Sequence, residues 1–243
     1  MECIKDYFQT IHLSITCNDE WFKEGSIPST SIAITTMANF KTLFFTSHMK
    51  KLNVLVGCEY SGVVREAFAA RGHNAWSCDL LPSDTPTDKH YQGDIFDFIE
   101  GDWDLAIFHP PCTDLAISGA AHFPEKIKDG RQQRAIEFVE RLYKCGIPRI
   151  CIENPVGVLS TKSKLGKPTQ YVQPYEYGHY ETKKTGLWLR GLDPLKPTDI
   201  KDLTGLPKKV TQRLHYLPPS PDRWKLRSTT YKGIAAAMAS QWG

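Results

Sequence analysis

The chain has 243 residues, of which 41% are hydrophobic and 23% charged, with a formal net charge of +3. That length suits one sizeable domain with an extension, and that balance excludes an intrinsically disordered chain. No apolar run reaches the roughly 20 residues of a membrane-spanning helix.

Residues 1–48 have no helical or strand period and precede Met49-Lys50-Lys51, which reads as a natural start. They are expected to be an N-terminal extension of uncertain status ahead of a domain over residues 49–243. A targeting peptide is the competing reading, opposed by Asp6, Asp19, Glu20 and Glu24. From residue 52 an α/β alternation sets in. Residues 52–57 form a short apolar run, hence a buried strand. A helix is predicted over 61–71, capped by Ser61 and stopped by Gly72. A second strand over 74–78 ends at Asp79, and a third is predicted over 104–108. Helical spacing over 125–144 puts Ile136, Val139, Leu142 and Tyr143 on one face, with Gly146 as the stop. Further strands are predicted over 149–152 and 186–189, and a small-residue helix over 233–242. Strands alternating with helices predict an α/β fold with a mainly parallel sheet and helices on both faces.

The seven cysteines are odd in number and scattered, with no Cys-x-x-Cys pair, so neither a disulfide framework nor a zinc site is expected, and a reducing, cytoplasmic setting is. From Lys183 onward twelve basic residues face four acidic ones, a balance that suits a polyanionic partner.

Cys112 stands behind a Pro-Pro pair in Phe108-His109-Pro110-Pro111-Cys112, at the tip of the strand over 104–108. A lone cysteine is usually an inert core residue. A thiol on a stiff loop at the C-terminal edge of an open α/β sheet is placed where ligands gather. The next strand ends in Glu153-Asn154-Pro155, which sets a carboxylate at the same edge. The first strand runs into Gly57-Cys58-Glu59-Tyr60-Ser61-Gly62, a glycine turn that lets a ligand approach the backbone. Asp79 is placed to bind a ribose diol, and Gly93-Asp94-Ile95 offers a second acid and an apolar contact for an adenine. The order of these pieces favours S-adenosylmethionine over a dinucleotide.

These residues resemble the cytosine-carbon-5 DNA methyltransferases, in a compact, phage-type form. Pro111-Cys112 with Ile117-Ser118-Gly119 is similar to that family's nucleophile loop, and Glu153-Asn154 to its Glu-Asn-Val motif, with Pro155 in place of Val. Residues 56–62, Asp79, residues 93–95 and Tyr231-Lys232-Gly233-Ile234-Ala235 resemble its cofactor motifs. The likeness runs from residue 52 to the C-terminus and is faint after Gln170. It implies a Rossmann-like S-adenosylmethionine-dependent methyltransferase fold. It implies Cys112 as nucleophile on cytosine carbon 6, Glu153 at ring N3, and Asn154 holding the loop. It also implies a cofactor site from Gly57, Glu59, Tyr60, Ser61, Gly62, Asp79, Asp94, Ile95, Pro110 and Gly233. Pro111 and Ser118 would meet a flipped-out base and its phosphate in DNA, double- or single-stranded. The thiol's surroundings are expected to lower its pKa. The family's Gln-x-Arg-x-Arg motif is missing, and Lys183 or Lys184 would supply the lost charge. The recognition insert shrinks to residues 191–226, with Tyr216 and Trp224 available to stack on a base. Two rivals remain: an exocyclic-amine DNA methyltransferase, whose Pro-Pro-aromatic loop is close to residues 109–112, and a catalytically silent nucleic-acid binder on the same fold. A transferred group other than methyl, or a nucleotide or RNA substrate, is also open.

Overall fold

Short apolar runs bounded by turn residues become strands buried on both faces. β4 (Leu105–Phe108) has the sequence Leu-Ala-Ile-Phe, all fully buried. The structure, a computed structural model, describes residues 50–243, and the chain divides between Lys50 and Lys51. The extension expected over residues 1–48 lies outside the described residues. In chain order come β1 (Asn53–Gly57), α1 (Val63–Ala69), β2 (Asn74–Asp79), β3 (His90–Gln92) and β4. Then follow α2 (Phe123–Lys128), α3 (Arg131–Lys144), β5 (Arg149–Pro155), α4 (Leu159–Lys162), β6 (Gln170–Val172) and β7 (Thr185–Arg190). The last elements are α5 (Lys208–Thr211), α6 (Arg223–Ser228) and α7 (Lys232–Trp242).

The seven strands form one sheet in the order β3-β2-β1-β4-β5-β7-β6. β1 to β5 pair in parallel, whereas β7 is antiparallel to both β5 and β6. This is a Rossmann-like α/β architecture. The chain leaves β1 toward β2 on one side and returns through β4 on the other. The C-terminal ends of β1 and β4 therefore flank a topological switch point, where open α/β sheets place ligands. One face carries Val54, Val56, Leu105, Ile107, Cys151 and Leu187 against α1 and α7. The other carries Leu55, Ala106, Phe108, Ile150 and Ile152 against Ile136, Val139 and Leu142 of α3. Among the described residues no helix is long and apolar enough to cross a membrane.

Three expectations are corrected. The helix expected over 125–144 is two helices, α2 and α3, split at Gly130, whose φ of 77° lies in the left-handed region. The helix expected over 61–71 is the shorter α1. Its cap is not Ser61: Gly62 takes the N-cap position with φ 73°, and the Glu59 carboxylate accepts the Val64 N–H at 2.7 Å and the Arg65 N–H at 3.3 Å. β3 and β6 were missed because three residues of mixed polarity carry no readable period.

Candidate active site

The parallel register lines up the strand ends. Gly57 pairs with Phe108 and Phe108 with Ile152, so Cys58, His109 and Glu153 follow one position beyond. His109 and Glu153 meet there: the imidazole Nδ1 lies 3.1 Å from Glu153 Oε2, with side chains only 8% and 16% exposed. Strand alternation continues the Leu105–Ile107 side of β4 and the Cys151 side of β5 into this pair.

The Cys112 loop is fastened to the segment after Glu153. Asn154, itself buried, donates from Nδ2 to the Pro110 carbonyl at 2.9 Å. The Val158 N–H bonds to Leu115 O at 2.9 Å, and the Ile117 N–H to Val156 O at 3.0 Å. Gly157 bridges to Ala116 between them, and a Cβ there would collide with the Leu115 carbonyl. From the other side buried Lys126 of α2 bonds to Thr113 O and sits 3.4 Å from Asp114. Pro111 and Ser118 are exposed at the loop's outer rim, and Cys112 is partly exposed.

The Cys112 thiol is pushed up from its ordinary pKa, first by burial and then by the Glu153 carboxylate; Lys183 and Arg227 oppose the shift. The expected lowering of this thiol is therefore corrected: the two cations do not outweigh burial and Glu153. Burial also pushes the Glu153 carboxyl up, but the His109 hydrogen bond and the charges of His109 and Lys183 bring it below the usual value. Glu153 thus favours its ionised form. Removing that negative charge with Glu153→Gln is expected to speed alkylation of Cys112 by iodoacetamide at neutral pH. A stopped time course followed by mass spectrometry checks it, and an unchanged or slower rate counts against the coupling.

The two lysines part company. Lys183 Nζ reaches the Arg227 carbonyl at 2.9 Å and acts on Cys112 and Glu153, whereas Lys184 Nζ lies 4.3 Å over the Tyr171 ring. Lys183 ties α6 to one side of the site. Tyr60 ties it to the other: its hydroxyl lies 3.1 Å from Ser228 Oγ and 3.4 Å from Lys225 O, and its ring lies 5.6 Å from that of Trp224.

The cofactor candidates are less uniform. The parallel register sets Asp79 one position beyond the Gly57–Cys78 pair, beside Cys58, and the Gly93 N–H bonds to the Asp79 carbonyl at 2.9 Å just before Asp94; both acids help burial to push the Cys58 thiol up. Burial raises the Asp79 carboxyl, while the Leu81 N–H at 2.9 Å opposes the shift. Asp94 Oδ1 accepts the Phe96 N–H at 2.9 Å. Ser61 and Gly62 line a cavity of about 400 Å³ with Val63, Glu66, Ala67, Thr85 and Lys232. Pro110 is buried beside Asn154. Three candidates have evident packing roles: Ile95 is 4% exposed within the core, Gly57 leaves room for Phe108 and Ile95, and Gly233 lies against the Tyr177 carbonyl. Glu59 is committed to capping α1. No group of three or more His, Cys, Asp or Glu among the described residues could hold a metal ion.

Sequence reasoning passed over His109 as a partner for Glu153 and Arg227 as a neighbour of the thiol. The two-residue alternation Leu105, Ile107, His109 was the signal for the first.

No family model matches the chain, and no curated protein matches it. Among solved structures, the methyltransferase EhMeth of Entamoeba histolytica is similar at 15% identity and a TM-score of 0.40. The match covers 63% of this chain, which spans 58% of the length of that one.

Proposed function

We propose that the protein is a compact cytosine-carbon-5 DNA methyltransferase, moving a methyl group from S-adenosylmethionine to cytosine through a covalent Cys112 adduct. The observation that carries this reading is the fastening of the Cys112 loop to the end of β5, beside Glu153, at the switch point of the sheet. Cytosine carbon 5 is a weak nucleophile. Addition of the Cys112 thiolate to carbon 6, with a proton delivered to N3 at Glu153, turns the ring into an enamine that is nucleophilic at carbon 5. Asn154 fixes Pro110, and the two prolines leave the loop little freedom. Asp79 and Asp94, converging on the Gly57–Gly62 turn, fit the ribose side of a nucleoside-bearing donor. Two buried polar atoms without partners among the described residues, Asn154 Oδ1 and His109 Nε2, belong to residues at the same sheet edge. S-adenosylmethionine would supply there an electrophilic methyl group on a sulfonium. Lys183, Arg227 and the exposed rings of Trp224 and Tyr216 suit a nucleic-acid strand carrying a flipped base.

Incubation with 5-fluorocytosine DNA and S-adenosylmethionine tests the reading. A covalent protein–DNA complex is expected from the native chain and none from Cys112→Ala. Methylation at N4 or N6 without a complex would establish an exocyclic-amine enzyme instead, and DNA binding with neither would establish a silent binder.

A further inference from the structure

Glu153 presents a difficulty that its neighbour resolves. Its carboxyl sits below the usual range, so near neutral pH it is ionised and brings no proton to a cytosine N3. In that ionised state it also holds the Cys112 thiol up, against formation of the nucleophile. One proton placed on Glu153 removes both obstacles. His109 is the group positioned to place it. Its Nδ1 lies 3.1 Å from Glu153 Oε2, and its side chain is 8% exposed. Its Nε2 is buried with no partner among the described residues. Glu59, a buried carboxyl on the turn after β1, is near enough for the imidazole's charge to act on it. The charged groups around this line are Glu153 from β5, Glu59 and Arg65 from the first turn and α1, Lys183 from the approach to β7, and Cys112 with Arg227 beyond Glu153.

We propose that His109 is a positioning residue that stores the proton for the Cys112–Glu153 pair. This rests on the methyltransferase reading above. In its protonated form the imidazole carries hydrogens on both nitrogens. The Nδ1–H bond breaks and the proton passes to the Glu153 carboxylate, leaving a neutral imidazole protonated at Nε2. The carboxyl then gives one proton to cytosine N3 as the Cys112 Sγ–carbon 6 bond forms from the thiolate electron pair. At the end of the cycle the carbon-5 proton leaves to solvent, its electron pair restores the carbon 5–carbon 6 double bond as the Sγ–carbon 6 pair returns to sulfur, and N3 returns its proton through Glu153 to Nδ1. The shuttle consumes no proton and needs no co-reactant.

His109→Asn tests it, because the shorter amide can still donate a hydrogen bond to Glu153 but holds no titratable proton. The kcat for methyl transfer is expected to fall about 100-fold, the low end for loss of a general acid, with little change in KM. In the native chain kcat is expected to fall at high pH, and this limb is expected to be lost in His109→Asn. An unchanged kcat and an unchanged pH profile would overturn the proposal, even if both His109→Asn and His109→Ala lost thermal stability. A second reading needs neither DNA nor methyl donor. The charge of His109 helps hold the Glu153 carboxyl below its usual value against burial, so in His109→Asn that carboxyl is expected to titrate at higher pH than in the native chain, read by carboxyl carbon NMR. An unshifted Glu153 titration would show that His109 carries no charge onto the pair and would also overturn the proposal. A native chain that forms no adduct and transfers no methyl fails the function itself, and the Glu153 titration distinguishes that failure from a failure at His109.

Discussion

Gly157→Ala is expected to lower the proposed methyl transfer about 100-fold while leaving a folded sheet. The added Cβ would collide with the Leu115 carbonyl and crowd Ala116 Cα. These atoms are backbone, so no rotamer change relieves the clash. The loop must move as a unit, and the hydrogen bonds on either side, Val158 to Leu115 and Ile117 to Val156, would stretch with it. Cys112 lies three residues before Leu115, and its carbonyl accepts the Leu115 N–H at 3.0 Å. Displacing a reacting group by about 1 Å can cost about 100-fold in rate. Stability should fall less steeply, by about 1–3 kcal/mol for a forced overpacking at the rim of the domain. Steady-state kinetics on cytosine DNA alongside thermal melting separates the two. Native kcat in Gly157→Ala would mean that the seam between the loops does not position the thiol.

Gly233→Ala is expected to lower stability by at least about 3 kcal/mol, the upper end for overpacking, and the melting temperature by about 10 °C at the 2–4 °C per kcal/mol usual for this size. Gly233 is in the first turn of α7, where a Cβ would overlap the Tyr177 carbonyl, and its N–H donates to His179 Nε2 at 3.1 Å. Behind it Ile234, Ala235, Ala237, Met238, Ala239 and Trp242 are all buried against the face that also holds Val64 and Phe68 of α1. Lifting the first turn therefore disturbs a whole helix of close contacts. A melting curve within about 2 °C of the native chain's would refute this account of the glycine.

The parts of this protein with strong periodicity were readable from sequence. β1, β4 and β5 carry dense apolar runs, and Cys112 and Glu153 follow two of them, so the placement of both at one sheet edge was legible together with Asn154 as the residue that holds the loop. What escaped depends on contacts between distant segments. Nothing near Glu59 in the chain says that its carboxylate will turn back on Val64 and Arg65 in place of the expected Ser61 cap. Lys183 and Lys184 are indistinguishable as neighbours in sequence and separate only once one is bonded to α6 and the other lies over Tyr171. The thiol's raised pKa is likewise a three-dimensional quantity, set by burial and by a carboxylate 41 positions along the chain (153 − 112). The break at Gly130 was visible in principle, since Asp129-Gly130 is a turn signal, but the surrounding helical residues on both sides masked it.

The way α6 is suspended has an engineering consequence. Between buried Leu195 and buried Ile234 the chain adds no strand to the sheet, and it meets the edge that carries Cys112 and Glu153 through α6, at Tyr60 and Lys183. The loops that carry Cys112 and Glu153 are stitched to each other, whereas this segment is held at three separate seats: residues 198–201 on the turn over 175–178, Thr211 and Arg213 on Thr182 and Glu181, and α6 on Tyr60 and Lys183. Length and sequence between these seats can therefore be exchanged as a cassette, provided that all three are kept. The chemistry would stay where it is while the surface presented to a partner is rewritten.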